Sequence, residues 1–154
     1  MRKFIKIALL LLAIGIVVLQ FFRPSFTNPP IVAGQAIEDS MAVPVEVQMV
    51  VARSCNDCHS NKTVYPWYSH IFPFSWFLAG HINEGRHELN FSEWTSYSAK
   101  KKAHKLEEIC EMVEGAAMPL PSYLWIHRDA VLSEDEKRLL CEWSKGERAK
   151  LLVE

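Results

Sequence analysis

Cys55-Asn56-Asp57-Cys58-His59 places two thiols three residues apart and sets an imidazole directly after the second. On one turn of helix each thiol can add across one vinyl group of a single porphyrin, and the adjacent imidazole then lies under the iron as its proximal ligand. The motif predicts covalent attachment of one c-type haem through Cys55 and Cys58, with His59 on the iron. A chain of 154 residues that encloses so large an apolar plate must build its core around it. Two other uses of these residues compete. Zinc could take Cys55, Cys58 and His59, but a structural zinc site wants a second ligand pair at similar spacing, and no second Cys-x-x-Cys follows. A thioredoxin-like thiol pair needs a βαβ context that the sequence does not supply.

The N-terminal end reads differently from the rest. Phe4 to Phe22 is an apolar run broken only by Lys6 and Gln20, and about 19 residues at helical rise approach the ~30 Å hydrocarbon core of a bilayer. Arg2, Lys3 and Lys6 precede or interrupt it at its start, the side that the positive-inside rule keeps in the cytoplasm. The expectation is a single N-terminal transmembrane helix over residues 1–23 in a bacterial cytoplasmic membrane, with the rest of the chain on the periplasmic side. A cleaved signal peptide is the alternative, although no small-x-small site follows at the right distance. Four of the 17 basic groups lie in residues 1–23, which leaves 13 against all 18 acidic groups, a net of −5 over 24–154. That balance argues against nucleic acid as a partner.

Residues 24–43, with Pro24, Pro29 and Pro30, read as an extended tether that could reach roughly 60 Å when fully stretched, unless part of it packs on the domain. Residues 44–154 read as the haem-binding domain. Between Pro44 and Arg53 the valines fit both strand alternation and a helix face; Pro44 in a first turn with Glu46 behind it favours a helix leading into the motif. Ten of the 17 aromatics lie between Tyr65 and Tyr97, enough flat side chains to wrap a porphyrin. Ala99, Ala103, Leu106, Cys110 and Val113 share one helical face, with Gly115 as a stop. Ser133-Glu134-Asp135-Glu136 is a capping box for a terminal helix that the sequence ends near Gly146.

Met118 lies in a proline-bearing loop 59 residues after His59. Its thioether suits haem iron and would raise the reduction potential relative to a second imidazole. His70, His81, His87, His104 and His127 are rival distal ligands. Arg86 can pair with a haem propionate, or with Glu84, Glu88 or Glu93. Asn90-Phe91-Ser92 has the form of a glycosylation sequon, disregarded here because the N-terminus reads as bacterial. Cys110 and Cys141 lie on the two later helices, either bridged or as two buried thiols.

The motif run Cys55–Ser60, followed by Asn61, Thr63 and Tyr65-Pro66-Trp67-Tyr68-Ser69, resembles a bacterial haem-binding domain family of the cytochrome c superfold. Pro73, Trp76, Gly85-Arg86, Leu89-Asn90-Phe91-Ser92-Glu93-Trp94, Met118-Pro119 and the helix from Leu132-Ser133 to Trp143 add to the likeness, which spans residues 44–146. The resemblance implies an all-α, cytochrome c-like domain holding one covalent haem, with His59 and Met118 as axial ligands. The reading is a membrane-anchored mono-haem carrier of single electrons between redox partner proteins, more a carrier than an enzyme. A haem-based sensor or small peroxidase with an open or labile distal site is the alternative. An interaction module with a structural haem is a third.

Overall fold

A computed structural model describes residues 1–153 of the chain. Among these residues there is no strand; the chain forms α1 (Arg2–Leu19), α2 (Val45–Ser54), α3 (Asn56–His59), α4 (Phe74–Glu88), α5 (Ala99–Glu114), α6 (Pro121–Leu124) and α7 (Glu134–Leu151). Short 3-10 turns at Ile37–Asp39, Trp67–His70, Phe91–Ser96 and Arg128–Ala130 fill the connections. The all-helical class is as expected.

The transmembrane helix is not. No helix among the described residues is long and apolar enough to cross a membrane. The 18 residues of α1 begin with Arg2, Lys3 and Lys6, so the uncharged part, Ile7 to Leu19, is about 20 Å long against the ~30 Å that a span requires. The single-pass anchor, and the placement in a bacterial cytoplasmic membrane that depended on it, are withdrawn. The apolar letters run to Phe22, but α1 ends at Leu19, and the side-chain oxygen of Gln20 accepts the Phe72 N–H at 3.0 Å. The Phe22 carbonyl accepts Trp76 Nε1–H at 2.9 Å, and Arg23 donates to the His70 carbonyl at 3.2 Å.

Residues 24–43 lie along the helical domain. Ile37 is 2 % exposed and belongs to the main core. Asn28 donates to the Thr63 carbonyl at 2.9 Å, and Trp143 Nε1 on α7 donates to the Ala42 carbonyl at 3.1 Å. Prolines permit an extended path, but burial of Ile37 and these hydrogen bonds decide where the path runs.

Two apolar clusters flank the haem motif. The larger gathers Val47, Val50 and Val51 of α2, Phe91 and Trp94 of the 91–96 turn, Leu106 and Val113 of α5, and Leu140 and Trp143 of α7; Cys55 packs against its edge. The smaller is Tyr68, Leu78 and Ile82, and Cys58 packs against that one. α3 therefore sits on the seam between two cores. α5 and α7 lie side by side and are joined by a disulfide between Cys110 and Cys141. α7 begins at the expected capping box, with Ser133 Oγ accepting the Glu136 N–H at 3.2 Å and Glu136 accepting the Ser133 N–H at 2.8 Å. It passes Gly146 and continues to Leu151. A helical glycine costs about 1 kcal/mol; here buried Glu147, the Arg148–Glu107 pair at 2.9 Å and the packing of Leu151 on the core hold the last turns in place.

Candidate functional site

α3 is one turn long. Cys58 N–H and His59 N–H both return to the Cys55 carbonyl, at 3.1 and 2.9 Å, so Cys55, Cys58 and His59 project from a single tight turn. That turn presses on α4 at Gly85, where a Cβ would lie 2.7 Å from the Cys58 carbonyl oxygen and 3.0 Å from Cys58 Cβ. Only a residue without a side chain admits this approach.

The approach orients the histidine. His59 Nδ1 lies 3.0 Å from the Gly85 carbonyl oxygen and 3.0 Å from that of Leu89. Carbonyls only accept, so Nδ1 carries the hydrogen and Nε2 keeps its lone pair, the state a metal-binding imidazole needs. Burial lowers the His59 pKa, against the opposing pull of those two carbonyls. The ring is thus held neutral at ordinary pH.

Residues after the motif form the frame behind this histidine. Arg86 Nε donates to the Ser60 carbonyl at 2.9 Å, and one Nη donates to Asn28 Oδ1 at 2.7 Å and Thr63 Oγ1 at 2.8 Å. It forms no ion pair with Glu84, Glu88 or Glu93. Asn90, 3 % exposed, donates to Asn61 Oδ1 at 2.9 Å, while Asn61 N–H reaches Ser92 Oγ at 3.0 Å. The Asn90 amide that completes the sequon is therefore enclosed by the fold.

Three cavities open around α3. One of about 450 Å³ is lined by Cys58, Tyr68, Phe77, His81 and Tyr123 with other apolar groups. A second, of about 190 Å³, is lined by Cys55, His59, Phe91, Lys105, Met112 and Met118. A third, of about 80 Å³, touches Cys55, Cys58, His59, His81 and Met118 together. The structure thus brings both cysteines, His59 and Met118 to one hollow. Arg86 lines none of the three; Lys105 is the cation on the walls, buried between Glu108 at 2.6 Å and Glu88 at 3.4 Å.

Met118 is placed by the end of α5. Gly115 stops the helix, Ala116 takes a left-handed φ of 53°, and the N–H groups of Ala117 and Met118 both return to the Met112 carbonyl at 2.9 and 3.0 Å. Of the five rival histidines, His87 and His104 are exposed at the side chain, His127 is bonded to the Tyr68 hydroxyl at 2.7 Å, and His70 lies edge-on to Phe26. His81 alone shares a cavity with His59, and its Nε2 is buried without a hydrogen-bond partner. Asp57 and Tyr123, joined by a 2.8 Å hydrogen bond, escaped the sequence reading, since a variable position inside a motif and a tyrosine in a helix of one turn carry no periodic signal.

Burial pushes Cys55 up to about 12 and Cys58 up to about 11, far from the depressed values of a redox-active pair. Cys55, Cys58 and His59 do not gather as a metal-ligand group. Among the described residues only Cys110, Glu114 and Cys141 do, and their two sulfurs are joined to each other.

A haem group fits these residues: an oriented neutral imidazole, two half-buried thiols and an apolar hollow between two cores. Residues 14–146 match the family model of the haem-binding domain, a span that takes in residues 24–43 and the end of α1 as well as the helical domain. No curated protein matches the chain, and no solved structure does. The chain belongs to the haem-binding domain family and is a haem-binding protein.

Proposed function

We propose that the protein is a mono-haem c-type cytochrome that holds its haem by thioether links at Cys55 and Cys58 and carries single electrons. His59 and Met118 would ligate the iron. The observation that carries the reading is the His59 ring, whose Nδ1–H is fixed on two α4 carbonyls so that Nε2 is left for iron. Bound haem supplies a one-electron iron couple, and a thioether opposite an imidazole raises its potential relative to a bis-imidazole site. The rest belongs to the chain. The two cores exclude water from the edges of the hollow, and the Met112 carbonyl holds the Met118 loop. Arg86, whose Nε and one Nη hold the loop behind the motif, and Lys105, on the cavity wall and paired with Glu108 and Glu88, are the two cations that would meet a propionate. Redox partner proteins would supply and take the electron.

Haem that stays with the polypeptide under denaturing conditions tests the covalent link, and Cys55→Ala with Cys58→Ala should lose it. Met118→Ala should keep the haem and change its spectrum, with the ferrous form now binding CO. An unchanged spectrum removes Met118 from the iron. A second reading, a haem-based sensor or small peroxidase, rests on the unpartnered His81 Nε2 in the cavity shared by His59 and Met118. It predicts a wild-type ferrous protein that takes CO at once.

A further inference from the structure

We infer that Asp57, a variable residue of the Cys-x-x-Cys-His motif, and Tyr123 form a latch that holds the Met118 segment closed over the haem hollow. The inference rests on the reading of Met118 as the ligand opposite His59 and adds what keeps it there.

Both oxygens of the Asp57 carboxylate are engaged. Oδ1 accepts the Val64 N–H at 3.0 Å, which ties it to its own loop, and Oδ2 accepts the Tyr123 hydroxyl at 2.8 Å. Tyr123 lies in α6, five residues beyond Met118, and Pro119 and Pro121 stand between them. A proline-stiffened connection this short carries restraint from one end to the other. The Tyr123 ring stacks on His127 at 4.1 Å and 6°, and His127 in turn meets the hydroxyl of Tyr68, a member of the smaller core, at 2.7 Å.

Apart from the Ala130 N–H, which the His127 carbonyl accepts at 3.1 Å at the end of the segment, these two side-chain pairs are the polar attachment of residues 119–127 to the rest of the described chain. The backbone bonds in that stretch are local, running from Tyr123 and Leu124 to Leu120 and from Ile126 and His127 to Tyr123. Apolar grip is weak at its far end, where Trp125 is 73 % and Ile126 57 % exposed. The hydrogen bond from Tyr123 reaches a carboxylate, the stronger kind, and that carboxylate sits between the two cysteines. Closure of the segment is therefore bonded directly to the turn that holds the haem. With the latch made, the Met118 sulfur stays in place. With it broken, the side of the hollow opposite His59 opens to a small ligand.

The test uses the full chain with its haem, as wild type, Tyr123→Phe and Asp57→Asn. Tyr123→Phe keeps the ring and its stack and removes only the hydroxyl. Amide hydrogen exchange across residues 117–127 should rise about tenfold in Tyr123→Phe, the size carried by one hydrogen bond to a charged acceptor, while peptides from α5 and α7 stay unchanged. CO should combine with the ferrous variant correspondingly faster, at equal haem content. Asp57→Asn, which keeps the shape and drops the charge, should give a smaller rise in the same segment; it carries the test if Tyr123→Phe does not fold. Exchange equal to wild type in the folded variants overturns the latch. A wild type that already binds CO at once overturns the Met118 ligation instead, and the exchange comparison then decides the latch by itself.

Discussion

Gly85 is the residue on which the geometry of the site turns. Its missing side chain lets α3 approach α4 until the Cys58 carbonyl is within 2.7 Å of where a Cβ would stand, and the same contact brings His59 Nδ1 to the Gly85 and Leu89 carbonyls. The obstacle to a methyl group there is backbone, which cannot rotate aside. Gly85→Ala should cost about 1–3 kcal/mol by overpacking, read as a lower urea midpoint, and should reduce the yield of attached haem because the imidazole loses its frame. Gly80→Ala on the same helix, where a Cβ meets nothing, is the control: it should raise the urea midpoint by about the 1 kcal/mol that alanine gains over a helical glycine and leave the yield of attached haem unchanged. The neighbour Arg86 shows how a residue type alone misleads. A lone arginine beside three acids reads as an ion pair, whereas its guanidinium is used on a carbonyl and two hydroxyl or amide oxygens of the loop behind the motif.

Helix ends were the most legible elements. The 133–136 capping box starts α7 as its letters say, and Gly115 stops α5. The box also carries a pH dependence. The Ser133 N–H, foremost, and the Arg53 guanidinium at 2.8 Å hold the Glu136 carboxyl below its usual range. A depressed folded-state pKa means that the unfolded chain takes up the proton first, so this contribution is full above the ordinary glutamate value and is lost as the pH falls through the folded value. Urea midpoints measured from pH 6 to pH 2.5 should fall less steeply for Glu136→Gln than for the wild type. An equal acid slope would show that the pair does not act. The far end of α7 escaped the sequence, because Gly146 reads as a stop and only the contacts of Glu147, Arg148 and Leu151 carry the helix on to residue 151.

For the whole molecule, the Cys110–Cys141 bridge joins the two helices that bound the larger core, across a separation of 31 residues. A loop of that size is worth about 2–4 kcal/mol through restriction of the unfolded chain. Reduction, or Cys110→Ser with Cys141→Ser, should lower the melting temperature of the haem-loaded protein, and a titration of thiols in the unfolded, unreduced wild type should find no pair at these positions. The attachment of residues 24–43 belongs to the same scale. Ile37 is buried among residues of α2, the 91–96 turn and α7, so these residues act as part of the domain, in keeping with a family match that starts at residue 14.

The sequence by itself determined that the chain binds haem, the helical class, and the starts of α2, α5 and α7, since each is written in residues close together along the chain: a five-residue motif, a capping box, a repeat of apolar letters on one face. Tertiary structure alone decided the tautomer of His59, the use of Arg86, the disulfide, the Asp57–Tyr123 contact and the fate of both N-terminal segments. Each of those depends on partners that are distant in sequence, such as 26 residues from His59 to Gly85 and 66 from Asp57 to Tyr123. Local pattern records what a residue prefers, while packing decides which preference is met.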